Sequence, residues 1–75
     1  DADRLFVTDI VLIVMGLAEA KAFPDIPVKV TINEYVEISK FYSTPKSRSF
    51  VNGILDRLIR RLVEEGEIVK TEKFD

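Results

Sequence analysis

The segment Phe50 to Val63 reads FVNGILDRLIRRLV and decides the fold class of this chain. Its apolar residues recur at spacings of three and four, which is the period of one face of an α-helix. Thr44 before Pro45 is typical of an N-cap followed by a first helical position, and Gly66 is typical of the residue that ends a helix. The sequence therefore predicts an amphipathic helix from Lys46 to Glu65.

Two further helices are predicted upstream of this segment. Apolar residues continue from Leu5 to Ala22, which is longer than a usual strand and favours a helix. The β-branched residues of IVLIVMGL, residues 10–17, leave a strand as the competing interpretation, and this run is too short to span a bilayer. Two prolines in FPDIPVK, residues 23–29, then require a crossover. TINE, residues 31–34, has the pattern of a capping box and predicts a helix from Ile32 to Tyr42.

These three helices predict an all-α fold, a small helical bundle. Gly53 inside the last helix costs helix stability, so we expect another backbone to pack closely against it. The segment after Gly66 is polar enough that we expect it to fray. The expected core consists of Leu12, Val36, Phe50, Ile54, Leu58 and Leu62.

Composition limits the classes of function. At 75 residues the chain holds one small domain at most. It contains no Cys and no His, which removes the Ser/His and Cys/His nucleophilic pairs and the common zinc sites. We therefore expect no enzyme, no cofactor and no metal, and a cytoplasmic setting is compatible with the absence of disulfides. A net charge of −2 gives no global attraction to nucleic acid, so RNA binding would need a local basic patch.

Two motifs resemble the C-terminal signature of the NusB family. DIPVKVTINE, residues 25–34, is similar to the family's crossover and the helix beginning Ile-Asn-Glu, and FVNGILD, residues 50–56, is similar to the opening of its last helix. The separation between the motifs also matches. Because the chain begins with Asp and not Met, we expect residues 1–75 to be the C-terminal NusB-like helical domain, excised from a longer chain.

The resemblance implies a function in RNA binding. Members of the family pair with a small-subunit ribosomal protein, NusE, and bind the single-stranded boxA element of nascent RNA in transcription antitermination and termination. The expected function is thus an RNA- and ribosomal-protein-binding module with no membrane association. The alternative is a related RNA-binding domain attached to a ribosomal RNA cytosine methyltransferase.

The resemblance also implies which residues bind. Cations near a helix N-terminus between aromatic rings suit phosphate binding and base stacking. The competing interpretation is that the rings belong to the core and the cations to a solvated face. The RNA-binding residues implied by the resemblance are Tyr42, Lys46, Ser47, Arg48 and Phe50.

Asp9 matches an acidic position of the family's ribosomal-protein interface, although a solvent-facing helical Asp is the simpler interpretation. Asn52 and Asp56 also belong to the signature, and we expect structural roles for them. The cations Arg57, Arg60 and Arg61 are expected to pair with Glu64 and Glu65 and not to bind RNA.

Overall fold

A computed structural model describes residues 2–42 and 44–72, with residues 2–6 described by their backbone alone. It consists of α1 (Ala2–Ala22), α2 (Val28–Ser39) and α3 (Pro45–Glu64), each of which packs against the other two. No strand occurs in these ranges. The predicted all-α bundle is confirmed, and the strand interpretation of residues 10–17 is wrong.

α3 begins and ends where its local signals predict. The side chain of Thr44 caps its N-terminus by accepting a hydrogen bond of 3.2 Å from the N–H of Ser47. At the other end Gly66 has a φ of 79°, and the N–H groups of Gly66 and Glu67 donate to the carbonyls of Val63 and Leu62. These two bonds form a Schellman motif, which satisfies carbonyls that the end of the helix would otherwise leave unpaired.

α2 begins four residues earlier than predicted. Its N-cap position is Pro27, whose side chain makes no capping bond. Thr31 lies inside the helix with its side chain fully buried, so the predicted capping box is wrong. The cap comes instead from Glu72, whose Oε1 accepts a hydrogen bond of 2.8 Å from the N–H of Val28, 44 residues away in sequence. A contact so distant in sequence overrides the local signal.

The segment 67–72, here called the C-terminal strap, binds the α1–α2 crossover, so the expected fraying is wrong for these residues; residues 73–75, for which it was also expected, lie outside the described residues. Ile68 is buried in the core, and Lys70 Nζ donates to the carbonyls of Phe23 and Ile26 at 2.9 and 2.8 Å. The N–H of Thr71 donates to the carbonyl of Pro24 at 3.1 Å. Partial burial lowers the pKa of Lys70, against the opposing effect of nearby carboxylates. The strap therefore fastens both ends of the crossover.

The predicted core is correct in α1 but lies on the wrong stripe of α3. Leu12 is buried as expected, and Val36 and Leu62 pack against the core from partly buried positions. Phe50 and Leu58 are 46% and 37% exposed, and Ile54 is only half-buried. α3 carries two adjacent apolar stripes, and the stripe that it buries is not the one predicted. The α3 residues of the core are Val51, Leu55 and Ile59.

The two helical glycines have opposite surroundings. A Cβ built on Gly16 would lie 2.8 Å from Cδ2 of Leu55, which shows that α1 and α3 approach closely there. A Cβ on Gly53 would meet no atom within 4 Å. The prediction that another backbone packs closely against Gly53 is therefore wrong within the described chain. The close approach of α1 and α3 occurs at Gly16 instead.

Candidate nucleic-acid interface

The turn between α2 and α3 brings the predicted RNA-binding residues together. α2 ends at Ser39, and the N–H groups of Phe41 and Tyr42 each donate to the carbonyl three residues before, which tightens the chain into a turn. The remaining predicted residues lie on the first two turns of α3, which begins at Pro45. We call this region the turn surface. It comprises Phe41, Tyr42, Lys46, Ser47, Arg48 and Phe50.

The aromatic rings of the turn surface are not part of the core. Tyr42 is 60% exposed and Phe50 is 46% exposed. The interpretation of both as core rings is therefore wrong. Phe41 is 84% exposed, and sequence reasoning missed it. In the sequence Phe41 is only an apolar residue after Lys40. It lies beyond the end of α2 at Ser39, so helical periodicity does not predict whether it is buried or exposed.

The cations of the turn surface are available to an external anion. Neither Lys46 nor Arg48 forms an ion pair with a described residue, and Lys46 is exposed while Arg48 is half-buried. The N–H groups of Ser47 and Arg48 are already bound by the side chain and the carbonyl of Thr44. The attraction for a phosphate therefore comes chiefly from the two side chains and less from the helix N-terminus.

Three other cations, Lys40, Arg60 and Arg61, form ion pairs with carboxylates of nearby residues. Lys40 binds Glu37 at 2.7 Å, as the sequence pattern indicates. In the predicted basic cluster, Arg61 pairs with Glu65 at 3.2 Å. Arg60 Nε lies 2.9 Å from Asp56 Oδ1, an ion pair that was not predicted from the sequence. Arg57, which was also predicted to pair, forms no ion pair with a described residue. These exposed pairs reduce the positive field of the C-terminal half of α3.

Asp9 is not the solvent-facing residue of the simpler interpretation. Its side chain is 5% exposed, and its Oδ1 has no hydrogen-bond partner among the described residues. Such a buried acceptor costs about 1 to 3 kcal/mol when it is left without a donor. Around it α1 exposes a series of large apolar side chains, namely Val7, Ile10, Val11, Val14 and Met15.

A groove connects this α1 surface with the turn surface. It has a volume of about 360 Å³ and runs between α1 and the end of α2. Val11 and Met15 line one side of it, and Ile38 and Tyr42 line the other. An aromatic ring of the turn surface therefore borders the apolar surface of α1.

A pair of carboxyl groups, Glu19 on α1 and Glu34 on α2, interacts across the two helices. A hydrogen bond to Glu19 and the negative charge of Glu19 raise the pKa of Glu34. Two ionised carboxylates can only accept, so this bond exists only when one of them carries a proton. Oε2 of Glu19 is buried and has no hydrogen-bond partner among the described residues. Tyr35 lies beside the pair, and burial first and then both carboxylates raise its pKa.

The described residues include no helix with both the length and the hydropathy that crossing a bilayer requires. Within the same residues, no group of three or more carboxylates is arranged to hold a metal ion.

The sequence was compared with protein families and with known proteins. The model of the NusB family matches residues 1–60. The transcription antitermination protein NusB of Salinibacter ruber is 40% identical over 68 residues, which are 91% of this chain and 42% of that protein. The protein of the same name from Chloroherpeton thalassium is 41% identical over 71 residues, which are 95% of this chain and 34% of that protein.

A third relative, the transcription antitermination protein NusB of Natranaerobius thermophilus, is 42% identical over 60 residues, 80% of this chain and 43% of its own length. No solved structure matches the chain. The chain thus spans less than half the length of the curated relatives it matches. With a family model covering most of its residues and relatives of this similarity, the chain belongs to the NusB family.

Proposed function

We propose that this chain is the RNA- and ribosomal-protein-binding part of a NusB-type transcription antitermination factor. The turn surface carries the proposal, because it presents exposed rings beside cations that no described carboxylate pairs. Bases of single-stranded RNA stack on exposed rings, and cations neutralise the phosphates between them. The proposed ligand is a boxA-like single strand, and the site works in the bacterial cytoplasm, where transcripts emerge.

Each part of the turn surface has a distinct task in this proposal. Phe41 and Tyr42 are the most exposed rings, and each provides a face for one base. Lys46 and Arg48 contact phosphates on either side of Ser47, whose hydroxyl can donate to a phosphate or a ribose oxygen. Phe50 lies one helical turn beyond Lys46 and supplies a further ring.

The protein partner is proposed to bind α1. An apolar surface that includes Val11, Val14 and Met15 is typical of a protein interface, and Asp9 supplies a buried acceptor within the same helix. Because Asp9 is 5% exposed, its negative charge attracts a basic ribosomal protein such as NusE without a direct contact. We assign no catalytic role to the chain, in keeping with relatives that are named as antitermination proteins.

Fluorescence anisotropy with a short labelled boxA-like RNA tests the RNA site. Two cations at about 0.7 each give an expected salt slope of about 1 to 2 in a plot of log affinity against log salt. Lys46→Glu should abolish this binding. Lys21→Glu makes the same charge change in the last turn of α1 and should leave the affinity unchanged. Equal losses in both variants would mean that only net charge matters and that the turn surface is not the site.

A further inference from the structure

A cleft between α2 and α3 lies outside both proposed binding surfaces. It has a volume of about 720 Å³, within the range of ligand-binding clefts. No residue of α1 and none of the turn surface lines it. The two sequence motifs that carry the family resemblance meet here, since the first supplies Asn33 and the second supplies Asn52, Gly53 and Asp56. We call it the asparagine cleft.

Gly53 is the unexplained residue of this cleft. Glycine inside a helix lowers stability relative to alanine, and a close packing contact commonly accounts for its presence. Gly16 has such a contact with Leu55, but nothing in the described chain lies within 4 Å of a Cβ at Gly53. The missing side chain therefore leaves the backbone of α3 bare where it faces the cleft. That space admits the backbone of another molecule.

The charges of the asparagine cleft do not suit a polyanion. Lys29 and Arg60 are balanced by Asp56 and Glu72. Arg60 is bound to Asp56 at 2.9 Å, and Glu72 accepts from the N–H of Val28 at 2.8 Å. A cleft with no net charge neither attracts RNA phosphates nor repels a neutral chain.

The remaining polar groups suit a peptide backbone. Asn33 and Asn52 are exposed on opposite walls, one on α2 and the other on α3. Neither amide has a hydrogen-bond partner among the described residues. Each side-chain amide offers a donor and an acceptor in one plane, which is the pattern that a peptide group requires. Val28 and Ile32 also line the cleft from α2, but both are buried in the core, so the accessible part of the wall is chiefly polar.

We propose that the asparagine cleft binds an extended segment of a partner protein. The partner's main chain passes over Gly53, and its peptide groups hydrogen-bond to the amides of Asn33 and Asn52. This site is separate from the turn surface and does not depend on RNA binding.

A phage-displayed library of random dodecapeptides, selected on the immobilised chain, supplies the probe. A synthetic copy of the most enriched peptide is then titrated by fluorescence anisotropy. Asn52→Ala and Gly53→Ala should each weaken its binding by about tenfold or more. Because a Cβ at Gly53 meets nothing in the chain, the same Gly53→Ala protein should melt at a higher temperature than the wild type. Loss of binding then cannot be attributed to unfolding.

Lys46→Glu is the control that separates this site from the turn surface, and it should bind the peptide as the wild type does. The proposal is overturned if no peptide is enriched, or if the enriched peptide binds Gly53→Ala with unchanged affinity. It is also overturned if a short single-stranded RNA displaces the peptide, because the cleft would then be part of the RNA path.

Discussion

The same substitution should have opposite effects at the two helical glycines. At Gly53 the added methyl group enters open space, so only the gain in helix propensity remains. At Gly16 it would lie 2.8 Å from Cδ2 and 3.1 Å from Cδ1 of Leu55. Leu55 is fully buried and cannot swing into solvent, so α1 and α3 must separate or Leu55 must leave its rotamer.

The expected magnitudes follow from these contacts. Replacing a helical glycine by alanine gains about 1 kcal/mol, which is the whole effect expected for Gly53→Ala. Overpacking a core costs about 1 to 3 kcal/mol, so Gly16→Ala should lose between about zero and 2 kcal/mol after the same gain. The two variants should therefore differ by about 1 to 3 kcal/mol. In a domain of this size each kcal/mol moves the melting temperature by about 4 to 8 °C.

Thermal unfolding followed by circular dichroism at 222 nm measures both variants directly. The wild-type chain should melt between them, with Gly53→Ala above it and Gly16→Ala at or below it. A shift of the same sign and size in both variants would refute the assigned packing of α1 on α3, since propensity alone would then account for the data.

Three further outcomes are expected. In urea titrations, Leu55→Ala should lower the free energy of unfolding by about 2 to 5 kcal/mol and Leu58→Ala by clearly less, because Leu55 is fully buried and Leu58 is 37% exposed. Equal losses in the two variants would support the core predicted from sequence, which includes Leu58. Glu72→Ala should lose about 0.5 to 2 kcal/mol and speed hydrogen exchange at the first amides of α2, whereas Glu72→Gln keeps an acceptor oxygen and should lose little. Folding raises the pKa of Glu34, so the stability that this carboxyl contributes is complete below its unfolded pKa and is lost as pH rises through its folded pKa. Glu34→Gln should therefore raise the melting temperature at pH 7 and leave it unchanged near pH 4. A variant that is less stable than the wild type at pH 7 would contradict the interaction between the two carboxyl groups.

The fold was predictable where its signals are local. Thr44, Pro45 and Gly66 set the ends of α3 through contacts within a few residues, and the structure confirms them. The capping pattern at Thr31 was misleading because a carboxylate 44 residues away caps α2 four residues earlier. A cap that comes from the far end of the chain leaves no pattern in the sequence around the helix.

The buried face of α3 and the form of the candidate site depended on tertiary contacts. Phe50 and Leu58 have the same helical spacing as the stripe that is buried, so periodicity predicts a stripe but not which one. The family resemblance pointed to Tyr42 and Lys46, whereas the exposure of Phe41 and the burial of Asp9 appear only when the helices are assembled.

The strap has a consequence for folding during synthesis, because it is translated after all three helices. A ribosome adds about 5 to 20 residues per second from the N-terminus, so α1 and α2 emerge well before residues 67–72. Until Glu72 and Lys70 arrive, the crossover carbonyls and the first amide of α2 must be hydrated, and Ile68 is missing from the core. Residues 67–72 therefore complete the bundle, and a nascent chain stalled at Gly66 would lack both Ile68 in the core and the cap of α2.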